Sequence, residues 1–268
     1  MLKLKRYSNH FILDDILTWP TDTNNVLIEN EEYLRKYKKR EKEIDSACQR
    51  DELQRFNTPI NEYKELWEST ISQITESNEG YKIIGFHCSR YIDEEIENII
   101  CNGLHPLNSS FLKERIERLY LNNLIDLETT RQLQTKNKAE DNNRKDKICF
   151  FHSVSTLKKE NDLIRLFRAW GGEALYWHYE KDTNIFEILN RIGKPCIVVA
   201  SCKINELHAY TKIEEKMIDI WLSRKSNYIS INDINTSCKI NVNALEIIQR
   251  KTPLFENLTC CNSWRTEI

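Results

Sequence analysis

The sequence predicts an α+β fold: a core of short strands and helices following a helical N-terminal region. Residues 1–80 are heavily charged and carry apolar side chains at helical spacing, as in NEYKELWESTISQI, where Leu66, Trp67, Ile71 and Ile74 recur along one face. Residues 83–205 alternate short β-rich runs with amphipathic stretches, the pattern of a sheet covered by helices. The 268 residues are 40% hydrophobic with only six Gly and five Pro, which suits well-buried cores and argues against long disorder. The expected division is a helical region over 1–80 and a core domain over 81–268.

Expected strands are Ile83–His87, Ile148–Ser153, Ala174–Tyr179 and Cys196–Cys202, each short and apolar or aromatic. A helix is expected over Asp93–Cys101, with Asp93, Glu94 and Glu95 in the first turn, where carboxylates oppose the helix dipole, and Gly103 just past its end. Residues 111–136 read as one charged amphipathic helix, and Leu163–Trp170 as another, stopped by Gly171 and Gly172. Beyond residue 205 a helix is expected around Ile213–Leu222 and a strand or helix at Ala244–Gln249.

The formal charge of -2 gives no global reason to bind nucleic acid. The basic cluster Lys36, Lys38, Lys39 and Arg40 is followed at once by Glu41, Glu43 and Asp45, as on a solvated helix face. No apolar run approaches membrane-spanning length, so no membrane partner is expected. The nine cysteines, at 48, 88, 101, 149, 196, 202, 238, 260 and 261, form no CxxC pair and read as reduced structural thiols of a cytoplasmic protein. No metal site is expected. Glycine loops of the Walker and Rossmann types and a serine-hydrolase elbow are missing from the sequence.

The informative stretch is IIGFHCSRYIDEEIENIICNGLHPL, residues 83–107, where an apolar strand turns polar at His87, Cys88, Ser89 and Arg90. His-x-Ser on a strand, followed by an amphipathic helix ending in Gly103-Leu104, resembles the opening motif of ADP-ribosyltransferases. KICFFHSVSTL, residues 147–157, is similar to the second core strand of that fold, which typically ends in a Ser or Tyr facing nicotinamide, here Ser153. The likeness covers roughly residues 83–205. It implies a split β-sheet core, NAD as co-substrate, and transfer of ADP-ribose to a side chain of a target protein. Bacterial relatives of that kind are commonly toxins or effectors delivered into another cell, here by a non-classical secretion route.

NAD carries ribose hydroxyls, a pyrophosphate and a carboxamide, all needing directional partners once out of water. His87 and Ser89 suit ribose hydroxyls, and Arg90 offers a forked cation to a phosphate. The alternative is a satisfied strand-end histidine and a surface arginine. In TKNKAEDNNRKDK, residues 135–147, a helix would place Asn137, Asp141 and Arg144 on one face, Asn137 and Arg144 toward NAD and Asp141 toward a ribose or nucleophile; a solvated loop is the other reading.

Breaking the nicotinamide–ribose bond develops oxocarbenium character that a carboxylate stabilises. Glu173 follows the glycine pair in LFRAWGGEALYWHYE and ranks first, Asp141 second and Glu215 third. In the family pattern the catalytic glutamate comes late, near the start of a later strand, whereas Glu173 comes early; the late candidates Glu214, Glu215 and Glu246 carry no signature of their own. An NAD glycohydrolase, with water as acceptor, and a catalytically silent binding module are the competing functions.

Overall fold

The computed structural model describes residues 4–50, 58–158, 160–209, 211–224 and 234–259; Cys260 and Cys261 lie outside these. The protein is a mixed α+β molecule whose chain forms two compact units. One unit is helical and contains Thr21–Arg50, Lys64–Ser77 and Ile213–Ser223. Leu27, Leu34 and Ile44 of the first helix, Trp67, Ile71 and Ile74 of the second, and Ile213, Met217, Ile220 and Trp221 of the third are buried. The Tyr37 and Trp67 rings stack with centroids 4.4 Å apart, and Lys38 reaches Asp219 at 3.0 Å. This unit thus combines N-terminal helices with one from the distant segment that carries Glu215.

The other unit holds the strands. Lys194–Lys203 lies between Lys82–Tyr91 and Ala244–Gln249. It pairs antiparallel with Ala244–Gln249 from Cys196↔Gln249 to Ala200↔Ala244, with a slip at Val199/Ala200. Buried from Pro195 to Ala200, it reads as an unbroken small-apolar run because both its faces are covered. A second, two-stranded sheet pairs Ile148–Phe150 antiparallel with Thr236–Cys238. Reciprocal hydrogen bonds between Phe86 and Phe151, 2.7 and 3.1 Å, join the His87 strand to the end of this second sheet.

Three local expectations are corrected. Glu173–Tyr179 is a helix, not a strand: Leu175, Tyr176 and Tyr179 are buried while Trp177 is exposed, a helical stripe hidden in a β-like composition. The single helix expected over 111–136 is two, Ser109–Leu121 and Leu127–Thr135. Asn123 adopts φ 54° between them, and the Asp126 carboxylate caps the second by accepting from Thr129 N. The strand beginning at Ile83 does not stop at His87 but runs to Tyr91, so the polar run sits inside it. Asp93–Asn102 and Ile213–Ser223 are helices as expected, and Ala244–Gln249 is a strand. Among the described residues no helix is long and apolar enough to cross a membrane.

Candidate functional site

Within the sheet-bearing unit a cavity of about 330 Å³ opens between the His87 strand, the two helices after it, the 144–150 segment and the Gly171-Gly172-Glu173 corner. Its size falls at the lower end of small-molecule pockets. Strand alternation explains why His87, Ser89 and Tyr91 line it together, since every second side chain shares a face.

His87 Nδ1–H donates to the Cys149 carbonyl at 2.9 Å, because a carbonyl only accepts; this fixes the tautomer and leaves the Nε2 lone pair as acceptor. Desolvation, with the Arg115 charge adding to it, lowers the His87 pKa against the opposing Cys149 carbonyl. The ring is therefore neutral at neutral pH. Ser89 is buried and lies against the glycine corner: a Cβ on Gly172 would sit 3.8 Å from its Oγ. Gly171 and Gly172 have φ 86° and 54°, left-handed values that put Glu173 at the cavity wall as the first residue of its helix.

Glu173 is held from two sides. Its Oε2 accepts from Arg144 Nε and Nη2 at 3.1 and 2.9 Å, and its Oε1 from the Tyr176 hydroxyl at 3.1 Å. Its side chain keeps 44% of its exposure, so the carboxylate is positioned without being sealed off.

Five expected site residues are not in the cavity wall. Arg90, on the opposite strand face, is buried and donates to the carbonyls of Ile192, Phe167, Arg168 and Gly193 at 2.8–3.4 Å; its fork is spent on backbone, not on a phosphate. Desolvation first, then the Arg250 charge, bring its pKa down to about 10. Asn137 and Asp141 share no helical face with Arg144, because their segment is a series of turns. Asn137 Nδ2 donates to Leu133 and Gln134 carbonyls, closing the helix before it, and Asp141 accepts from Asn143 N and approaches Arg144 Nη1 at 3.4 Å. Ser153 is fully buried, three residues past the last residue of its short strand. Glu215 belongs to the helical unit, whereas every lining residue belongs to the other. His87, Ser89, Arg144 and Glu173 are the expected residues that the fold does bring together at this wall.

Four charged lining residues, Glu95, Arg115, Arg118 and Lys147, escape sequence reasoning, and the first two form a pair. Glu95 is buried at the third position of its helix, where Oε2 accepts from Ile92 N and from Trp170 Nε1, both at 3.0 Å. Arg115 donates from Nε to Glu95 Oε1 at 2.6 Å and lies with its guanidinium carbon 4.7 Å from the Trp170 ring centroid. Burial alone would lower the Arg115 pKa; the charge and hydrogen bond of Glu95 outweigh it and the net shift is upward. The available signal was position: Arg115 falls on the same helical stripe as buried Leu112, Ile116 and Leu119, an inward-facing cation.

Among the described residues no cluster of three or more His, Cys, Asp or Glu is placed to hold a metal ion. Comparison with protein-family models, with curated proteins and with solved structures gave no match to this chain.

Proposed function

We propose that this cavity binds NAD and that the protein is a mono-ADP-ribosyltransferase acting on a side chain of a target protein, as an effector of bacterial type. The observation that carries the reading is the convergence of His87 and Ser89 with Glu173, far apart in sequence, on one cavity wall, with Gly172 against Ser89. In this reading His87 Nε2 accepts a ribose O–H, and Ser89 takes a second ribose oxygen. The C–N bond between ribose C1′ and nicotinamide breaks with its electron pair leaving on nicotinamide. Glu173 stabilises the cationic sugar that remains and accepts the proton of the attacking nucleophile. Arg144 and Tyr176 support the assignment by fixing the carboxylate's orientation.

The test is incubation with NAD labelled in its adenylate half, together with a cell extract. Label on protein supports a transferase, label solely as free ADP-ribose assigns the chemistry to water as acceptor, and intact NAD rejects catalysis.

A further inference from the structure

The cavity wall carries four permanent cations, Arg115, Arg118, Arg144 and Lys147, and two carboxylates, Glu95 and Glu173. Glu95 is matched by Arg115, and Glu173 by Arg144, at hydrogen-bond distance. Arg118 stands 3.9 Å from Glu94, and Lys147 donates to the Asn142 carbonyl. With those pairs formed, the excess positive charge of the wall sits at its exposed edge, on Arg118 and Lys147, where solvent screens it.

Arg115 is the most enclosed of the three arginines, with 11% of its side chain exposed, against 15% for Arg144 and 36% for Arg118. Trp170, Tyr91 and Phe111 lie around its guanidinium, with ring centroids 4.7, 5.7 and 5.9 Å from the central carbon. Nε is committed to Glu95, yet Nη2 is buried without a hydrogen-bond partner among the described residues. A buried donor with no acceptor is costly and is rarely left so without a purpose. Glu95, itself tied to Ile92 N and Trp170 Nε1, holds the guanidinium by one edge and leaves its Nη end uncommitted. That is how a carboxylate aims an arginine at an oxyanion, and the aromatic surround thins the competing water.

We infer that Arg115 is the phosphate anchor of this cavity, its Nη end receiving a phosphate-ester or pyrophosphate oxygen after a small shift of the guanidinium. The choice of phosphate over carboxylate rests on the NAD reading above; the anchoring role rests on the part-satisfied fork. It gives Arg115 the task that strand geometry denies to Arg90.

Titration calorimetry on the intact protein tests the assignment with ADP-ribose, inorganic pyrophosphate and the phosphate-free nicotinamide riboside. Arg115→Lys keeps the charge beside Glu95 but loses the fork. It is expected to weaken ADP-ribose and pyrophosphate about 10–100-fold while leaving nicotinamide riboside unchanged. Equal affinity for ADP-ribose in a folded Arg115→Lys protein overturns the anchor. Where that variant does not fold, the double variant Arg118→Gln/Lys147→Gln decides, because it removes rim cations without touching the buried pair. A change below about threefold supports Arg115, and a larger loss moves the phosphate to the rim and overturns it. The two readings fail separately. NAD turnover with unchanged KM in Arg115→Lys removes the anchor and leaves the transferase standing, whereas Arg115-dependent ADP-ribose binding by a protein that leaves NAD intact does the reverse.

Discussion

Arg144 grips Glu173 across 29 residues of sequence, with Nε and Nη2 both donating to the single oxygen Oε2. One carboxylate oxygen is thereby committed to the guanidinium and the other to Tyr176, so the group is aimed before any ligand arrives. In the proposed transferase, such pre-aimed charge would be worth most in the transition state, where positive charge develops on the sugar.

Glu173→Gln keeps the shape and removes the charge. Turnover of NAD is expected to fall about 10²–10⁴-fold with NAD affinity nearly unchanged, read by single-turnover kinetics beside calorimetry. Asp141→Asn, which keeps an acceptor for Asn143 N and loses only the charge near Arg144, is expected to lose less than about tenfold, and Glu215→Gln nothing. Full activity in Glu173→Gln would remove that residue from the chemistry.

In the proposed NAD complex, His87→Ala would remove one neutral hydrogen bond to a ligand held away from water. NAD binding is expected to weaken by about 1–3 kcal/mol. An unchanged dissociation constant in a folded variant would show that the ring serves only the Cys149 carbonyl.

A pH dependence of stability comes from His152, two residues past the Ile148–Phe150 strand, which is fully buried between the Ile84 carbonyl and the Thr236 hydroxyl, each at 2.7 Å. Desolvation pushes its pKa down to about 4 from 6.5, with the Ile84 carbonyl opposing. The unfolded chain therefore binds the proton more tightly than the folded one. Stability is complete above the unfolded value and is lost as pH falls from about 6.5 through about 4, by roughly 3 kcal/mol in full. Urea unfolding at pH 7 and pH 4.5 should show this, and a His152→Gln variant should flatten the slope; an equal slope in that variant would reject the assignment.

Gly171→Ala tests the corner. With φ 86° and an added Cβ 2.3 Å from Leu175 Cδ1, the substitution is expected to cost about 2–3 kcal/mol, seen as a lower Tm. Gly172→Ala, whose Cβ meets only Ser89 Oγ at 3.8 Å, should cost about 1 kcal/mol. A larger loss at Gly172 than at Gly171 would contradict this geometry.

The thiols should separate by exposure. Cys101 is exposed and free, and is expected to react first with a thiol reagent on the folded protein; Cys149 is also exposed, but desolvation and the Glu173 charge raise its pKa, and it should follow. Cys196 and Cys202 are buried, their pKa values pushed up by desolvation, to about 12 at Cys196, and should react only after unfolding. Fast labelling of Cys196 in native buffer would mean that the central strand opens.

What the sequence made legible was mostly governed by period. The His-x-Ser spacing singles out His87 and Ser89, but a strand expected to end at His87 gives no reason to turn Arg90 away; the strand that runs on to Tyr91 does, by alternation. The glycine pair identified the Glu173 corner, but the run of Tyr and Trp after it imitated a strand because aromatic composition outweighed the burial spacing of Leu175, Tyr176 and Tyr179. Glu95 and Arg115 look like ordinary helix charges in isolation, and their value depends on a contact across 20 residues of sequence. Glu173 and Arg144 were each noted, but in separate segments, since pairing across a loop leaves no periodic trace.

Arg90 clasps two places at once: the carbonyls of Phe167 and Arg168 on one side of the Glu173 excursion, and those of Ile192 and Gly193 on the other. The stretch between them, with the glycine corner and the helices Glu173–Tyr179 and Thr183–Arg191, is cinched at its base like a drawstring purse. Slackening that knot would let Glu173 drift from the His87 strand without unfolding either strand. Arg90→Lys, which has one nitrogen to offer four oxygens, should therefore raise amide exchange across 169–191 while exchange along Lys194–Lys203 stays slow. Arg90, spent wholly on backbone carbonyls, would then govern how long the Glu173 carboxylate stays in register with the His87 strand.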